Sequence, residues 1–405
     1  MVLSHRTQPN GRRITPHNAF RSYSSPGEED HAGVGRGDAQ SGAMDGESRR
    51  VAKSQSRKDR VRSPFATWRL CDFVTLLVLL VALPLLAQAP VRNGPLPQPL
   101  PLFPLDNWWN VDISNAPVDP NSAAFVAYVG ATRGMHPDFG GDSGDPGAPI
   151  YGMPYIVVSG TQPLVPVTFD YDDESDLGAP GRPLGYPIPE EAKTQQKWIE
   201  GGLAGNDPDA DGDRHMLIVD RDHRILYELY ALRWTGTSWE AGSGATFPLD
   251  SNTRRPETWT SADAAGLAIL PGLVRYDEVF GPDPIRHALR VTVRRTNGYV
   301  YPASHRAGDT AGALPMGARL RLKANVNISG YPQPVRKIFE AMKTYGLIVA
   351  DNGSDLYVSG TYDTRWDNDV LNPAFSAIHA SDFEIVHLGW QPVSRGSGRR
   401  RTVRH

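Results

Sequence analysis

The stretch ARLRLKANVNI, residues 318–328, alternates polar and apolar side chains. The apolar positions are Leu320, Leu322, Ala324, Val326 and Ile328, and the polar ones are Arg319, Arg321, Lys323, Asn325 and Asn327. Because successive side chains of a β-strand point to opposite faces, this period of two predicts a strand with one basic face. HALRVTVRR, which begins at His287, has the same pattern around Arg290. We therefore predict two strands with basic outer faces.

Short apolar runs between Gly, Pro and Asp turn signals continue this pattern from Pro95 onward. Further strands are predicted in PYIVVSG, PLVPVTFDY, HMLIVD, RILYELYALRW, DLYVSG and FEIVHL. Residues 220–223 predict a hairpin turn between two of them. Helices are predicted only in PVRKIFEAMKTYG, NSAAFVAYVG and SADAAGLAI. The pattern favours a mainly β fold, β-sandwich or jelly-roll-like, with a few short helices.

The ends of the chain differ in composition from its body. Residues 1–65 and 393–405 are basic and poor in apolar side chains, which predicts two disordered tails. Between them, residues 95–392 are predicted to form one β-rich exported domain. The net charge of −3 over 405 residues gives no argument for a nucleic-acid partner of this domain.

Residues 66–91 contain the apolar run DFVTLLVLLVALPLLAQAP behind the basic cluster RKDRVR. This order is typical of a signal sequence cleaved after Ala89 or, if uncleaved, of a single transmembrane anchor through residues 70–91. Either alternative predicts an extracytoplasmic body, which is secreted, periplasmic or anchored facing outward. The only cysteine, Cys71, precedes the run, so the body has no disulfide and no thiol nucleophile.

Several segments of the body resemble a family of uncharacterised secreted bacterial proteins. They are FPLDNWWNVDIS, GDRHMLIVD, TWTSADAAGLAILPGLVRYDEV, PMGARLRLKANVNISG and YGLIVADNGS. The resemblance covers about residues 101–388 and implies a coherent exported domain. It carries over no activity and no catalytic residue.

The segment GNDPDADGDRHMLIVD, residues 205–220, places aspartates at alternate positions before a strand. Oxygen ligands at this spacing, followed by Gly212, are typical of the start of a calcium loop. A complete EF-hand is excluded because its twelfth position is Ile218. The loop predicts a structural calcium site with Asp207, Asp209, Asp211 and Asp213 as ligands. The alternatives are a polar turn and, for Asp213, an ion pair with Arg214.

Three histidines stand at strand ends, where loops assemble sites on β scaffolds. They are His215, His287 and His305, and we predict that they line one groove as acid–base catalysts. No H-x-H or H-E-x-x-H spacing supports zinc. The alternative is that each histidine satisfies local hydrogen bonds only.

Carboxylates supply the other catalytic candidates. Glu228 alternates onto an apolar strand face, where burial would raise its pKa. Of the neighbours Asp277 and Glu278, at most one can enter a given site, because adjacent strand residues face opposite ways. Asp263 is interpreted as an acid in the first turn of a helix that Thr260 or Ser261 caps, and Asp351 as part of a tight turn.

G-x-S-x-G, Walker A and dinucleotide-binding motifs are absent from the sequence. The many Trp and Tyr residues suit stacking on sugars, and Arg pairs with uronate carboxylates. Arg290, Arg321, Lys323 and Trp259 are the predicted substrate-binding residues. We therefore predict a carbohydrate-active protein, a lyase or hydrolase of an acidic polysaccharide. The alternative is a non-catalytic envelope or carbohydrate-binding protein with a structural calcium site.

Overall fold

The computed structural model describes residues 88–140, 150–177 and 184–392, all of which belong to one unit. The predicted tails, residues 1–65 and 393–405, and most of segment 66–91 lie outside the described residues. In the described part of the chain, no helix is long and apolar enough to span a bilayer.

Short strands account for most of the regular structure. They are β1 (Val91–Arg92), β2 (His136–Asp138), β3 (Tyr155–Val158), β4 (Val167–Phe169), β5 (Met216–Asp220), β6 (Ile225–Tyr230), β7 (Arg233–Trp234), β8 (Trp239–Ala241), β9 (Ser243–Pro248), β10 (Leu289–Val293), β11 (Arg319–Leu322), β12 (Leu347–Asn352), β13 (Tyr357–Ser359) and β14 (Phe383–Ile385). The α-helices are α1 (Ser122–Val129), α2 (Tyr276–Val279), α3 (Gln333–Thr344) and α4 (Asn368–Ser376). Single 3₁₀ turns lie at Asp172–Glu174, Glu190–Lys193, Leu270–Gly272 and Ala380–Asp382.

The strands form three sheets, ordered β1-β3-β5-β6-β9, β14-β11-β12-β10-β13-β2 and β4-β8-β7. Four strand pairs are parallel: β3 with β5, β10 with β12, β13 with β2 and β4 with β8. The other pairs between these strands are antiparallel. The fold is thus mainly β with mixed sheets and few helices, as predicted, and it is not a closed barrel. The β-sandwich or jelly-roll arrangement stays a prediction.

The expected basic outer faces of β10 and β11 are wrong. Arg290, Arg319 and Arg321 are all buried. The period of two correctly separates the faces of each strand, but β10 and β11 are internal strands, and other parts of the chain cover both faces. The loop from Trp108 to Ala116 covers β11. Its carbonyl oxygens accept hydrogen bonds from Arg319 and Arg321.

Two of the three predicted helices are present. In α3 the apolar stripe Val335, Ile338, Phe339 and Met342 is buried, and α1 covers the predicted NSAAFVAYV. The segment SADAAGLAI is not helical but forms turns, so the interpretation of Asp263 as an acid in the first turn of a helix is wrong. The predicted hairpin joins β5 to β6, which pair antiparallel.

One segment, residues 262–274, contributes to two hydrophobic cores. Ala264, Leu267 and Val274 pack in the core beneath the sheet of β10 and β12. Ala262 and residues 268–270 pack against the sheet of β5 and β6. The segment therefore ties the two larger sheets together, and the polar groups at its start become the centre of the candidate site.

Candidate active site

Residues 261–263 make polar contacts with both larger sheets. The Ser261 carbonyl accepts a hydrogen bond from Ser243 Oγ of β9 at 2.7 Å. The Ala262 carbonyl lies 2.9 Å from Nε2 of His215, the residue that directly precedes β5. The Asp263 carboxylate binds Arg290 of β10 in the other sheet. Charged side chains from both sheets are thus gathered at one turn.

Arg290 is the centre of this cluster and is only 3% exposed. Its Nε and Nη2 donate to the two oxygens of Asp263 at 2.9 and 2.8 Å, a bidentate ion pair. Nη2 also donates to Asp351 Oδ2 at 2.9 Å, and Nη1 to Ser359 Oγ at 2.7 Å. Burial opposes its charge, yet Asp263 and Asp351 hold the pKa of Arg290 above its ordinary value. Arg290 therefore stays cationic.

Asp351 belongs to β12 rather than to the tight turn that the sequence suggested. Burial, with repulsion from Asp263, raises the pKa of Asp351 to about 7, although Arg290 acts in the opposite direction. One guanidinium thus serves two buried carboxylates, of which Asp351 is partly protonated near neutral pH.

Glu200 and His215 form a second ion pair. His215 Nδ1 lies 2.6 Å from Glu200 Oε2, and the backbone N–H of His215 donates to the same oxygen at 3.2 Å. With Ala262 O on the other side, both ring nitrogens face acceptors, as in a protonated imidazolium. Burial opposes that charge, but Glu200 and Asp213 raise the pKa of His215 to about 10. His215 is therefore a cation at neutral pH.

Of the five acids in this cluster, Asp138 and Asp213 are the two whose carboxylates have no hydrogen-bond partner among the residues that the structure describes. Both are partly exposed. Burial, then repulsion from Glu200, raises the pKa of Asp138 to about 6, with Asp213 adding to the effect. Burial, partly offset by His215, also raises the pKa of Asp213. These carboxylates are open to a ligand and poised to exchange protons.

Aromatic side chains border the carboxylates. The Tyr230 ring lies 5.7 Å from that of His215, and burial and then Asp213 and Tyr171 raise the pKa of its hydroxyl. Tyr171 is exposed. Tyr151, also exposed, pairs with Gly140, two residues beyond Asp138. Tyr230 thus lies beside the His215 ring, and the exposed rings of Tyr151 and Tyr171 are of the kind that stacks on a sugar or another flat apolar surface.

The predicted histidines do not share one set of partners. His305 Nδ1 lies 2.8 Å from the Ala264 carbonyl, so His305 and His215 contact the same turn. His287 Nε2 instead lies 3.0 Å from Glu278 Oε2, and its Nδ1 faces the carbonyl of the adjacent Ala288.

Glu278 also binds Arg275 Nη2 at 2.9 Å, while exposed Asp277 binds Arg275 Nε at 3.1 Å. Together with His287, these residues line a separate cavity of about 330 Å³. The two acidic candidates are therefore grouped with His287 and not with His215.

Glu228 is fully buried and accepts hydrogen bonds from the backbone N–H groups of Ile269 and Leu270 at 2.8 and 2.9 Å. Burial raises the pKa of Glu228 to about 8 against the effect of these amides. Both amides belong to residues 262–274, the segment that joins the sheets. Glu228 therefore holds this segment against β6 and has a structural role beside the site.

The predicted substrate-binding cations have structural partners. Arg321 donates to Glu384 at 2.7 Å, and Lys323 donates to the Ser381 carbonyl at 2.7 Å. Trp259 is partly exposed and lies two residues before Ser261, with the Arg255 guanidinium 5.2 Å from its ring centroid. Of the predicted substrate-binding residues, Arg290 lies inside the carboxylate cluster and Trp259 near it in sequence.

The aspartate loop is folded as a polar turn. Asp207 Oδ1 accepts a hydrogen bond from the amide of Asp209 at 3.0 Å, and Asp209 and Asp211 are exposed. Asp213 interacts instead with His215, Glu200 and Arg290. Within the described ranges, no group of three or more His, Cys, Asp or Glu is arranged to hold a metal ion. Calcium binding by the loop stays a prediction.

Sequence reasoning missed Asp138 and Glu200. Asp138 ends the short strand β2 in MHPDFGG, and Glu200 stands alone in KWIEGG. Neither belongs to an alternating pattern or a recognised motif, so only three-dimensional proximity identifies them.

In comparisons with models of protein families, with curated proteins and with solved structures, nothing matches this chain. The fold and site alone define its class: a mainly β protein with a carboxylate-rich site between two mixed sheets.

Proposed function

We propose that the protein is a hydrolase that cleaves glycosidic bonds by general acid–base catalysis with Asp138 and Asp213. The observation that supports this proposal is the pair of partly exposed carboxylates with raised pKa values and no hydrogen-bond partner among the described residues. Glycoside hydrolysis generally uses two such acids, one to protonate the leaving oxygen and one to activate water or attack the sugar.

The surroundings of the two acids suggest their roles. Asp138 is repelled by both Glu200 and Asp213, so it keeps its proton near pH 6 and is suited to be the general acid. Asp213 lies beside the cationic His215, which favours its charged form and suits it to be the base or nucleophile. Glu200 and Arg290 are positioning residues, because their charges bias these two carboxylates.

The charge of the cluster favours hydrolysis over elimination. Elimination with a histidine base needs an unprotonated imidazole, whereas Glu200 and Asp213, against the effect of burial, hold His215 as a cation at neutral pH. The carboxylates Asp138, Glu200, Asp213, Asp263 and Asp351 outnumber the cations His215 and Arg290. This surplus would repel a uronate, so a neutral glycan that stacks on Tyr171 and Tyr151 is the favoured substrate. The acidic polysaccharide of the sequence prediction is less favoured.

The experiment is to incubate the full chain with neutral and uronate-containing polysaccharides and to record both reducing ends and ultraviolet absorbance. We expect reducing ends from a neutral glycan without an unsaturated chromophore. Asp138→Asn and Asp213→Asn should each lower the rate by about 10²–10⁴-fold with folding retained. Asp309→Asn, at an exposed position, is the matched control. An unsaturated product from uronate polymers would overturn the hydrolytic proposal.

A non-catalytic carbohydrate-binding protein is the second candidate, favoured by the exposed rings of Tyr151 and Tyr171. Retention on a glycan column without any cleavage would support it. Export also stays a proposal, tested by fusing a reporter after Gln98, as does a sandwich-like or jelly-roll-like packing of the sheets. Extracytoplasmic reporter activity is the expected result.

A further inference from the structure

Two of the segments that stand out in the sequence meet at Arg319. FPLDNWWNVDIS contains Trp108, and PMGARLRLKANVNISG contains Arg319. The Arg319 guanidinium donates through Nη2 to the Trp108 carbonyl. Both side chains are only 6% exposed, and neither belongs to the carboxylate cluster.

Arg319 has no carboxylate partner in the part of the chain that the structure describes. Its Nη1 lacks any hydrogen-bond partner there. Arg321, two residues along the same strand, shows the usual arrangement: Glu384 lies 2.7 Å from its Nη2, and the Ala116 carbonyl accepts from Nη1. Burial lowers the pKa of Arg319 to about 10, with only the Tyr301 hydroxyl opposing the effect. A buried charge without a counter-ion is strongly destabilising.

The neighbouring indole is also unpaired. Trp108 Nε1 is buried without an acceptor among the described residues, and so is Nε1 of Trp109. The Trp108 ring packs edge-on against Tyr301, with centroids 6.3 Å apart. Unpaired buried donors destabilise the folded protein, because their hydrogen bonds to water are lost without replacement. Arg319 Nη1 and the two indole nitrogens are all donors, so a cation or a metal ion does not fit them.

We propose that a monatomic inorganic anion, chloride, binds between Arg319 Nη1 and the Trp108 indole N–H. Such an anion neutralises the guanidinium and accepts from several N–H donors at once, and it is the smallest ligand that does both. A buried water molecule would satisfy one donor but leave the charge uncompensated. The anion would also fix the Trp108 loop against β11.

The test compares the melting temperature of the full chain in sodium chloride and in sodium gluconate at constant ionic strength. Chloride, and likewise bromide, should raise the melting temperature along a saturating curve, as expected for a ligand of the folded state only. Gluconate is too large for the site and should not.

Three variants make the test specific. Arg319→Met should abolish the chloride increment, and Trp108→Phe, which keeps a ring but removes the N–H, should shift its midpoint at least several-fold toward higher chloride. Arg321→Met is the matched control: its melting temperature should fall because Glu384 loses its partner, while the chloride increment remains.

Identical titrations of the natural protein in chloride and gluconate would overturn the proposal, as would an unchanged increment in both Arg319→Met and Trp108→Phe. If Arg319→Met does not fold, the chloride titration of Trp108→Phe decides: an unshifted midpoint would overturn the proposal.

Discussion

Asp138 of β2 lies directly across from Ser359 of β13, and Ser359 accepts a hydrogen bond from Arg290. The sheet order β10-β13-β2 explains the different exposure of these residues. Arg290 comes from an inner strand and is buried, whereas Asp138 comes from the edge strand and is partly exposed. The buried charge of Arg290 can thus shift the pKa of the partly exposed Asp138.

The proposed general acid sets the pH dependence of the reaction. Since the pKa of Asp138 is about 6, it is protonated below that pH and loses its proton above it. We expect kcat/KM to fall as pH rises through about 6. A pH–rate profile measures this, and Glu200→Gln, which removes the largest neighbouring charge that raises the pKa of Asp138, should move the falling limb to lower pH. A flat profile from pH 5 to 8 would contradict the role of Asp138.

Breaking the Asp263–Arg290 pair should be strongly destabilising. Asp263→Asn leaves a buried guanidinium with one carboxylate fewer, and the cost of breaking a buried ion pair is about 3–5 kcal/mol. The free energy of unfolding in denaturant measures it. The control is Asp363→Asn, whose partner Arg365 is 62% exposed, with an expected cost of about 0–1 kcal/mol. Equal losses in the two variants would count against the structural role of the pair.

Stability in acid should depend on Glu278. Burial opposes its charge, but Arg275 and His287 lower the pKa of Glu278 from 4.5 to about 2. A carboxylate with a lowered folded pKa contributes stability above its unfolded pKa, and that contribution is lost as pH falls from about 4.5 to about 2. Between pH 6 and pH 3, Glu278→Gln should therefore lose less stability than the natural protein.

The control for this measurement is Asp277→Asn, since Asp277 is 57% exposed and contacts the same arginine. It should follow the natural protein through the acid range. The same curve for Glu278→Gln would show that the carboxylate of Glu278 does not govern acid unfolding.

The Glu200–His215 pair should keep the imidazole protonated well above its ordinary range. Its pKa of about 10 in the folded state exceeds 6.5, so the stabilisation is fully present below pH 6.5 and is lost as pH rises through about 10. Nitrogen NMR shifts of His215 should report the imidazolium at pH 8. Glu200→Gln should lower that pKa, and Glu190→Gln, in an exposed pair with Lys193, should leave it unchanged. A neutral ring at pH 8 in the natural protein would refute the assignment.

Calcium binding by the aspartate loop stays a prediction, with Asp207, Asp209, Asp211 and Asp213 as the predicted ligands. Millimolar calcium should raise the melting temperature because it binds the folded state, and Asp209→Ala should abolish the increment. Asp309→Ala is the control. A melting temperature that does not respond to calcium or to a chelator would establish the loop as a polar turn that binds its own backbone.

Local patterns predicted the elements well where a single stretch contains the whole signal. Alternation located β10 and β11, although β11 ends at Leu322 and residues 323–328 of the predicted strand are not strand. The helical spacing of Val335, Ile338 and Phe339 located α3. The same alternation could not say that Arg319 and Arg321 would be covered, because a period of two separates the faces of a strand without naming what packs on them.

For the candidate site, the sequence alone predicted that His215 stands at the start of one strand and that Arg290 lies within another. Both positions follow from local alternation. Only the tertiary structure decided that Asp138, Glu200, Asp263 and Asp351 surround them. Glu200 lies 15 residues from His215, while Asp263 and Asp351 lie 27 and 61 residues from Arg290, and no local pattern encodes such distances. The physical reason is that burial and neighbouring charge set the pKa of each carboxyl group, and both exist only once the two sheets have packed around residues 261–264.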